Sequence, residues 1–245
     1  MRKLRPERAA AAALMLTAAM AGHAQPHAAA LLPKPFIATY TIEWRGFRAG
    51  SSTLELKQTS SNDFVYSSRN DARGIFKLVF PNPITQESRF AIENGQVVPS
   101  RYQANDGSSD ASKEVSLRFD WTARRVRGAA EAKSVDLALQ PGTQDDLSVQ
   151  IALMLGLKSG HVPGSFWLIN KDEVQEYQYS RDGQETLDTP VGKLEAVIYR
   201  SHHEGSSRTT RLWLAPSLDY MPLRAEQTRH GKIEFAMSIR SFKKS

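Results

Sequence analysis

The chain has 245 residues, 40% of them hydrophobic, a formal net charge of +6 and no cysteine. The missing cysteine excludes structural disulfides, thiolate metal sites, a cysteine nucleophile and lipidation of an exported N-terminus. Four basic residues and one acid fall within residues 1–24, so the remainder carries only about +3. Its densest basic cluster is Arg124, Arg125 and Arg127, with Lys243 and Lys244 near the end. That is too little for a nucleic-acid footprint, and no nucleic-acid partner is expected.

Arg2, Lys3, Arg5 and Arg8 precede an apolar run, Ala9–Ala21, that is too short to span a bilayer comfortably. Gly22 and Ala24 suit cleavage after Ala24, and Ala28–Ala30 offers a second site. The expectation is a signal peptide over 1–24, with cleavage as late as 30, and export to the periplasm without a lipid anchor. A flexible segment over 25–34 and a single β domain over 35–243 follow. The longest later apolar run, Ile151–Leu157, is well short of a membrane span, so no transmembrane segment is expected in the mature chain.

Period-two alternation dominates the remainder. Phe36, Ala38, Tyr40, Ile42 and Trp44 share one face of a strand over 36–45. Val115, Leu117, Phe119 and Trp121 repeat the pattern, as do Val135, Leu137 and Leu139, and later Ile233, Phe235, Met237 and Ile239. Strands with one buried face favour an antiparallel sheet. Asn94-Gly95 and Asp182-Gly183 read as hairpin turns, because both central residues of a type I′ turn need positive φ. Gly46 and Gly50 bracket a bend between the first two strands; Asn105–Gly107, Pro190–Gly192 and His230-Gly231 mark further reversals.

Two segments break the alternation. Gly74–Phe80, closed by Pro81 and Pro83, reads as a short helical turn plugging one side of a curved sheet. Asp145–Leu157 reads as an amphipathic helix, capped by Thr143 or Asp145, with Leu147, Ile151, Met154 and Leu155 as its stripe. Gly156 or Gly160, then Pro163, ends it. The fold class is therefore mainly β: one strongly curved antiparallel sheet, an open or half barrel, with one helix.

Few residues suggest chemistry. His202 and His203 neighbour each other in a strand and point to opposite faces, so they do not chelate one metal by spacing. With Glu204 they read as a polar hairpin end. Asp145 and Asp146 could serve as paired carboxylates but are explained more simply by capping and the helix dipole. No Gly-x-Ser-x-Gly, phosphate loop or dinucleotide fingerprint occurs. No catalytic residue, metal ligand or cofactor is assigned. The aromatics Trp44, Phe166, Trp167 and Trp213 are the candidate lining of an apolar cavity; Trp121, Tyr177 and Tyr179 fit the same core. Trp167 and Trp213 lie out of phase with neighbouring apolar residues, so both faces of those strands need cover.

Order and spacing of several short pieces carry a resemblance. They are Trp44–Gly50, then Asn94-Gly95 with Pro99 and Tyr102, Phe119–Trp121, Asp145–Ser148, Thr189–Gly192, and Leu212–Pro216 with Pro222-Leu223. In these the chain resembles the bacterial DUF3108 family of exported proteins of unassigned activity, over roughly residues 35–242. The resemblance implies the periplasm and a curled antiparallel sheet, and it supplies no catalytic residues. By analogy of architecture such sheets are similar to periplasmic lipoprotein carriers of the LolA and LolB kind, which hold acyl chains against a helical lid. The leading expectation is a non-enzymatic periplasmic protein that binds or carries an apolar or amphipathic envelope component such as a lipid. The alternative is an envelope scaffold that docks a protein partner through a sheet face or edge. A hydrolase ranks third and requires Asp146 and His203 to converge in a cleft.

Overall fold

The computed structural model describes residues 32–161 and 164–244; the expected signal peptide, most of the segment 25–34 and Pro163 lie outside them. Eight strands come first: β1 (Phe36–Trp44), β2 (Phe47–Gln58), β3 (Asp63–Ala72), β4 (Ile84–Glu93), β5 (Gln96–Asn105), β6 (Val115–Asp120), β7 (Arg125–Ala130) and β8 (Lys133–Ala138). Helix α1 (Ser148–Lys158) follows. Then come β9 (Ser165–Asn170), β10 (Glu173–Thr189), β11 (Gly192–His203), β12 (Arg208–Ala215), β13 (Met221–Arg229) and β14 (Lys232–Lys244).

All fourteen strands form one antiparallel sheet in the order β8 to β1, then β14 down to β9. Each consecutive pair of strands on either side of the helix is a local hairpin, and one long-range pairing, β1 with β14, joins the two halves. The free edges are β8 and β9, the strands that flank α1 in the chain. The sheet curls but does not close into a barrel.

Register explains the core. Phe36 faces Leu56, which faces Tyr66, then Ser88, Tyr102 and Leu117, one row across six strands. Every member of the row is buried, and Ser88 is its only aliphatic hydroxyl. Burying each large side chain contributes roughly 1.5–3 kcal/mol before chain entropy is counted. Helix α1 carries Ile151, Met154 and Leu155 into this cluster, and Val149, Leu153 and Leu157 into a second one with Phe166, Tyr199 and Leu214. Adjacent residues of β11 divide between the two: Ile198 joins the first and Tyr199 the second. Both faces of β11 are thus covered, as the phase of its apolar residues requires.

The helix ends follow from local chemistry. The Asp145 carboxylate accepts from the amides of Leu147 (2.9 Å) and Ser148 (2.8 Å), and the Asp145 amide donates to Ser148 Oγ (2.9 Å). This reciprocal box satisfies donors the helix leaves open. At the other end Gly160 adopts φ +75°, with His161 N–H donating to Gly156 O and Gly160 N–H to Leu157 O, the Schellman pattern. The regular helix starts at 148, three residues later than the spacing suggested, and Asp145 caps the turn that leads into it.

Two local expectations are corrected. Asp182-Gly183 does not turn: β10 runs on for 17 residues with a bulge between Arg181 and Gly183, and the reversal comes at Pro190-Val191. Only Gly183 of the pair has positive φ, and Asp182 is held by Arg211 at 2.8 Å, so long-range pairing with β11 overrides the local turn signal. Gly50 likewise lies inside β2 rather than at a bend; the turn is Arg45-Gly46, at φ 49° and 84°.

Candidate functional site

At the end of the sheet formed by the β1–β2 and β13–β14 turns, the inner face is not filled by side chains. It encloses an apolar hollow of about 450 Å³, a size typical of small-molecule sites. The alternation that buries Phe36, Ala38 and Tyr40 continues to Ile42 and Trp44, which form one wall. Phe235, paired with Trp44 across β1 and β14, extends that wall. Ala49 and Gly50 of β2 supply a thin floor, and Ile84 of β4 closes the far side. Asn70 and Asp71 are the polar residues of the lining, and the Asp71 carboxylate is engaged by Arg69 at 3.1 Å.

Gly50 shows why the floor is thin. A Cβ there would stand 2.2 Å from the carbonyl oxygen of Asp71, so only glycine lets β2 and β3 approach this closely. Next to it Ala49 forms a bulge opposite β1, and its carbonyl accepts from the Arg73 amide at 2.8 Å. That bond turns the chain out of β3 and across the opening. A 3-10 helix, Gly74–Leu78, and the residues up to Phe80 form a flap, with Phe76, Val79 and Phe80 lining the hollow and Ile75 and Leu78 facing solvent. Its second anchor is Asn82, whose amide donates to Gly107 O at 3.1 Å. No residue of the 3-10 helix is buried, so the flap is held mainly at its two ends.

The sequence-predicted candidates fall in different places. Trp44 lies at the hollow. Phe166 and Trp167 line a separate hollow of about 400 Å³ between α1 and residues 140–144, where Gln96, Gln144 and His161 give it a mixed polar wall. Trp213 is buried between the guanidinium groups of Arg211 and Arg224, at 5.0 and 5.1 Å, and its indole N–H donates to Glu185 at 2.8 Å. The residues missed by sequence reading are Phe76, Val79, Phe80, Ile84 and Phe235. The apolar, non-alternating run 74–80 was the available signal for three of them; nothing local marks Ile84 or Phe235 as sharing a site.

Of the paired aspartates, Asp145 has a structural role. Asp145 is fully buried, and its carboxylate accepts from Ser88 Oγ at 2.6 Å in addition to the two helix amides. Burial raises its pKa, opposed by those hydrogen bonds. Asp146 keeps solvent-accessible surface but is ringed by protein; desolvation, then the Asp145 charge, raises its carboxyl to about 6. The Tyr102 hydroxyl reaches it at 3.4 Å. The His203 ring packs against Tyr177, and its Nδ1 lies 2.9 Å from the Glu204 carbonyl oxygen, a contact that does not involve Asp146.

A family model described as a protein of unknown function (DUF3108) matches residues 39–236, in agreement with the resemblance read from the sequence. No curated protein matches the chain. Among solved structures it is similar to a β-barrel-like protein of the domain of unknown function DUF1849 from Brucella abortus. That likeness has 12% identity and a TM-score of 0.58, and it covers 86% of this chain and 98% of that one. A protein from Bacteroides fragilis, described as exported with a YmcC-like fold, gives 11% identity and a TM-score of 0.39 over 86% and 97% of the two chains. A chain of the MucA/MucB complex of Pseudomonas aeruginosa gives 12% and 0.39, over 87% of this chain and 53% of that one. The first likeness establishes the curled, barrel-like fold along nearly the full length of both chains.

Proposed function

This chain belongs to the DUF3108 family, and we propose that it is a non-enzymatic protein of the bacterial envelope that holds an acyl chain in the hollow beneath the flap. The carrying observation is the lining: aliphatic and aromatic side chains from β1, β2, β4, β14 and the flap converge on one cavity. Such a cavity offers a hydrocarbon favourable transfer from water, and the one carboxylate of its lining, Asp71, is paired with Arg69. One of the two carboxylates that could have served catalysis, Asp145, is occupied in fixing α1 to β4. The basic, alanine-rich leader supports the envelope as the place of action.

A dansyl-labelled fatty acid tests the reading. Wild type is expected to raise and blue-shift its emission in a saturable manner. Ala49→Phe, which fills the floor, is expected to weaken binding at least about tenfold, the loss of roughly 1.4 kcal/mol. A second filling variant, Ile84→Trp, guards against misfolding of the first. Absence of saturable binding by folded wild type would overturn the proposal.

A further inference from the structure

The outside of the same opening has a chemistry that the hollow does not explain. Among the described residues, every large apolar side chain that stands exposed is at this end: Trp44, Phe47, Ile75, Leu78, Val79 and Ile233. They come from three distant stretches of sequence that the fold gathers. β1 pairs with both β2 and β14, and the Arg73–Ala49 bond lays the flap beside β2. Phe47, Ile75 and Leu78 are 72%, 74% and 83% exposed and take no part in lining the hollow. Single exposed apolar residues are ordinary, but six gathered around one opening mark an interaction surface.

Charge selects the occupant. Segments 43–50, 71–80 and 229–235 hold Arg45, Arg48, Arg73, Lys77, Arg229 and Lys232 against Glu43, Asp71 and Glu234. That excess of three equals the net charge of all described residues, 28 Lys and Arg against 25 Asp and Glu, so the rest of the domain is neutral in sum. Among the described residues only Arg45 of the six cations is in a salt bridge, with Glu234 at 2.8 Å. Exposed apolar side chains next to six cations, five of them outside salt bridges, match the interface of an anionic bilayer: the apolar tips enter the headgroup layer and the cations meet phosphates.

The geometry points to this end of the molecule as a docking surface for a bilayer containing anionic phospholipid, with Phe47, Ile75 and Leu78 as the inserting side chains. Trp44 and Val79 of this patch also line the hollow, but the three inserting side chains lie outside it, and docking does not require a cargo. Only its consequence, that the flap then opens toward lipid rather than water, rests on the acyl-binding reading.

Co-sedimentation of the mature chain with vesicles tests it. Phosphatidylcholine vesicles containing phosphatidylglycerol are expected to carry wild type down, and phosphatidylcholine alone to bind it at least about tenfold more weakly. The triple variant Phe47→Ser, Ile75→Ser, Leu78→Ser is expected to lose at least about tenfold in vesicle affinity. Its melting temperature and dansyl fatty-acid affinity should stay as in wild type, because all three positions are exposed and outside the lining. Arg48→Gln with Lys77→Gln should remove the preference for phosphatidylglycerol. Wild type that stays in the supernatant with both vesicles, or a triple variant that sediments like wild type, overturns the docking. Fatty-acid binding measured on the same samples separates that failure from failure of the cargo reading. Crosslinking from position 47 to a single envelope protein, without vesicle binding, would put a protein on this surface instead.

Discussion

Asp145 concentrates the structural chemistry of the chain. Its carboxylate is buried and accepts three hydrogen bonds, from Ser88 and from two amides at the start of α1. Asp145→Ala strands these donors and removes the cap, and should cost about 3 kcal/mol, read as a lower urea midpoint with unchanged slope. Asp146 gives a pH signature of the opposite kind. Its carboxyl is raised to about 6 in the folded protein against an ordinary 3.8, so between those pH values the folded state holds a proton that the unfolded state has released. The stability it contributes is present below about pH 4 and lost as pH rises toward 6. Asp146→Asn should therefore be more stable than wild type at pH 7, by at most about 1 kcal/mol given solvent screening, and equal to it near pH 4. A thermal midpoint difference that does not shrink on acidification would refute this.

At the scale of elements, the flap and the β2–β3 contact beneath it are the distinctive parts. Gly50→Ala would place a methyl group 2.2 Å from the Asp71 carbonyl, with backbone on the other side and no flexible side chain to yield. The expected cost is about 2–3 kcal/mol. Fraying should be confined to the β2–β3 end, seen as faster amide exchange at Ala49 to Ser51 and at Arg73. Much of the element pattern was legible in the sequence: strict alternation from Phe36 to Trp44 gave β1, and the Asp145 box with its apolar stripe gave α1. Asp182-Gly183 misled because a turn dipeptide states what a short segment prefers, whereas β10 is decided by twelve paired positions on β11.

The whole molecule is a roll whose free edges are bridged rather than zipped. Gln144, in the segment that follows β8, ties the β9 edge to β5. Its amide donates to Trp167 O (2.8 Å), its carbonyl accepts from Ile169 (2.9 Å), and its side chain donates to Val97 O (2.9 Å). Beyond it, Lys133 pairs with Asp172 at 2.8 Å, and Lys171 with Glu131, between the β7–β8 and β9–β10 turns. Exposed pairs of this kind contribute little, so the seam depends on Gln144. Gln144→Ala removes the side-chain bonds to Val97 O and Gly142 O but keeps both backbone bonds to β9, so it should cost about 1 kcal/mol and raise hydrogen exchange in the 142–145 segment rather than along β9. Uniform loss of protection throughout the sheet would show instead that the seam governs global stability.

Residue order alone determined the antiparallel sheet, the single helix and the irregular stretch at 74–80, because each depends on periodicity or capping among neighbours in the chain. It also pointed to the family. Only the tertiary structure decided where the hollow lies and what lines it. Trp44, Phe76, Ile84 and Phe235 come together through the β1–β14 pairing and the Arg73–Ala49 bond, contacts between residues far apart in sequence. The same holds for Trp213, whose aromatic signal resembled that of Trp44 but which is buried in the core, with two arginines over its ring and a glutamate on its indole N–H. A side chain's type follows from the sequence, whereas its partners follow from the closure of the sheet.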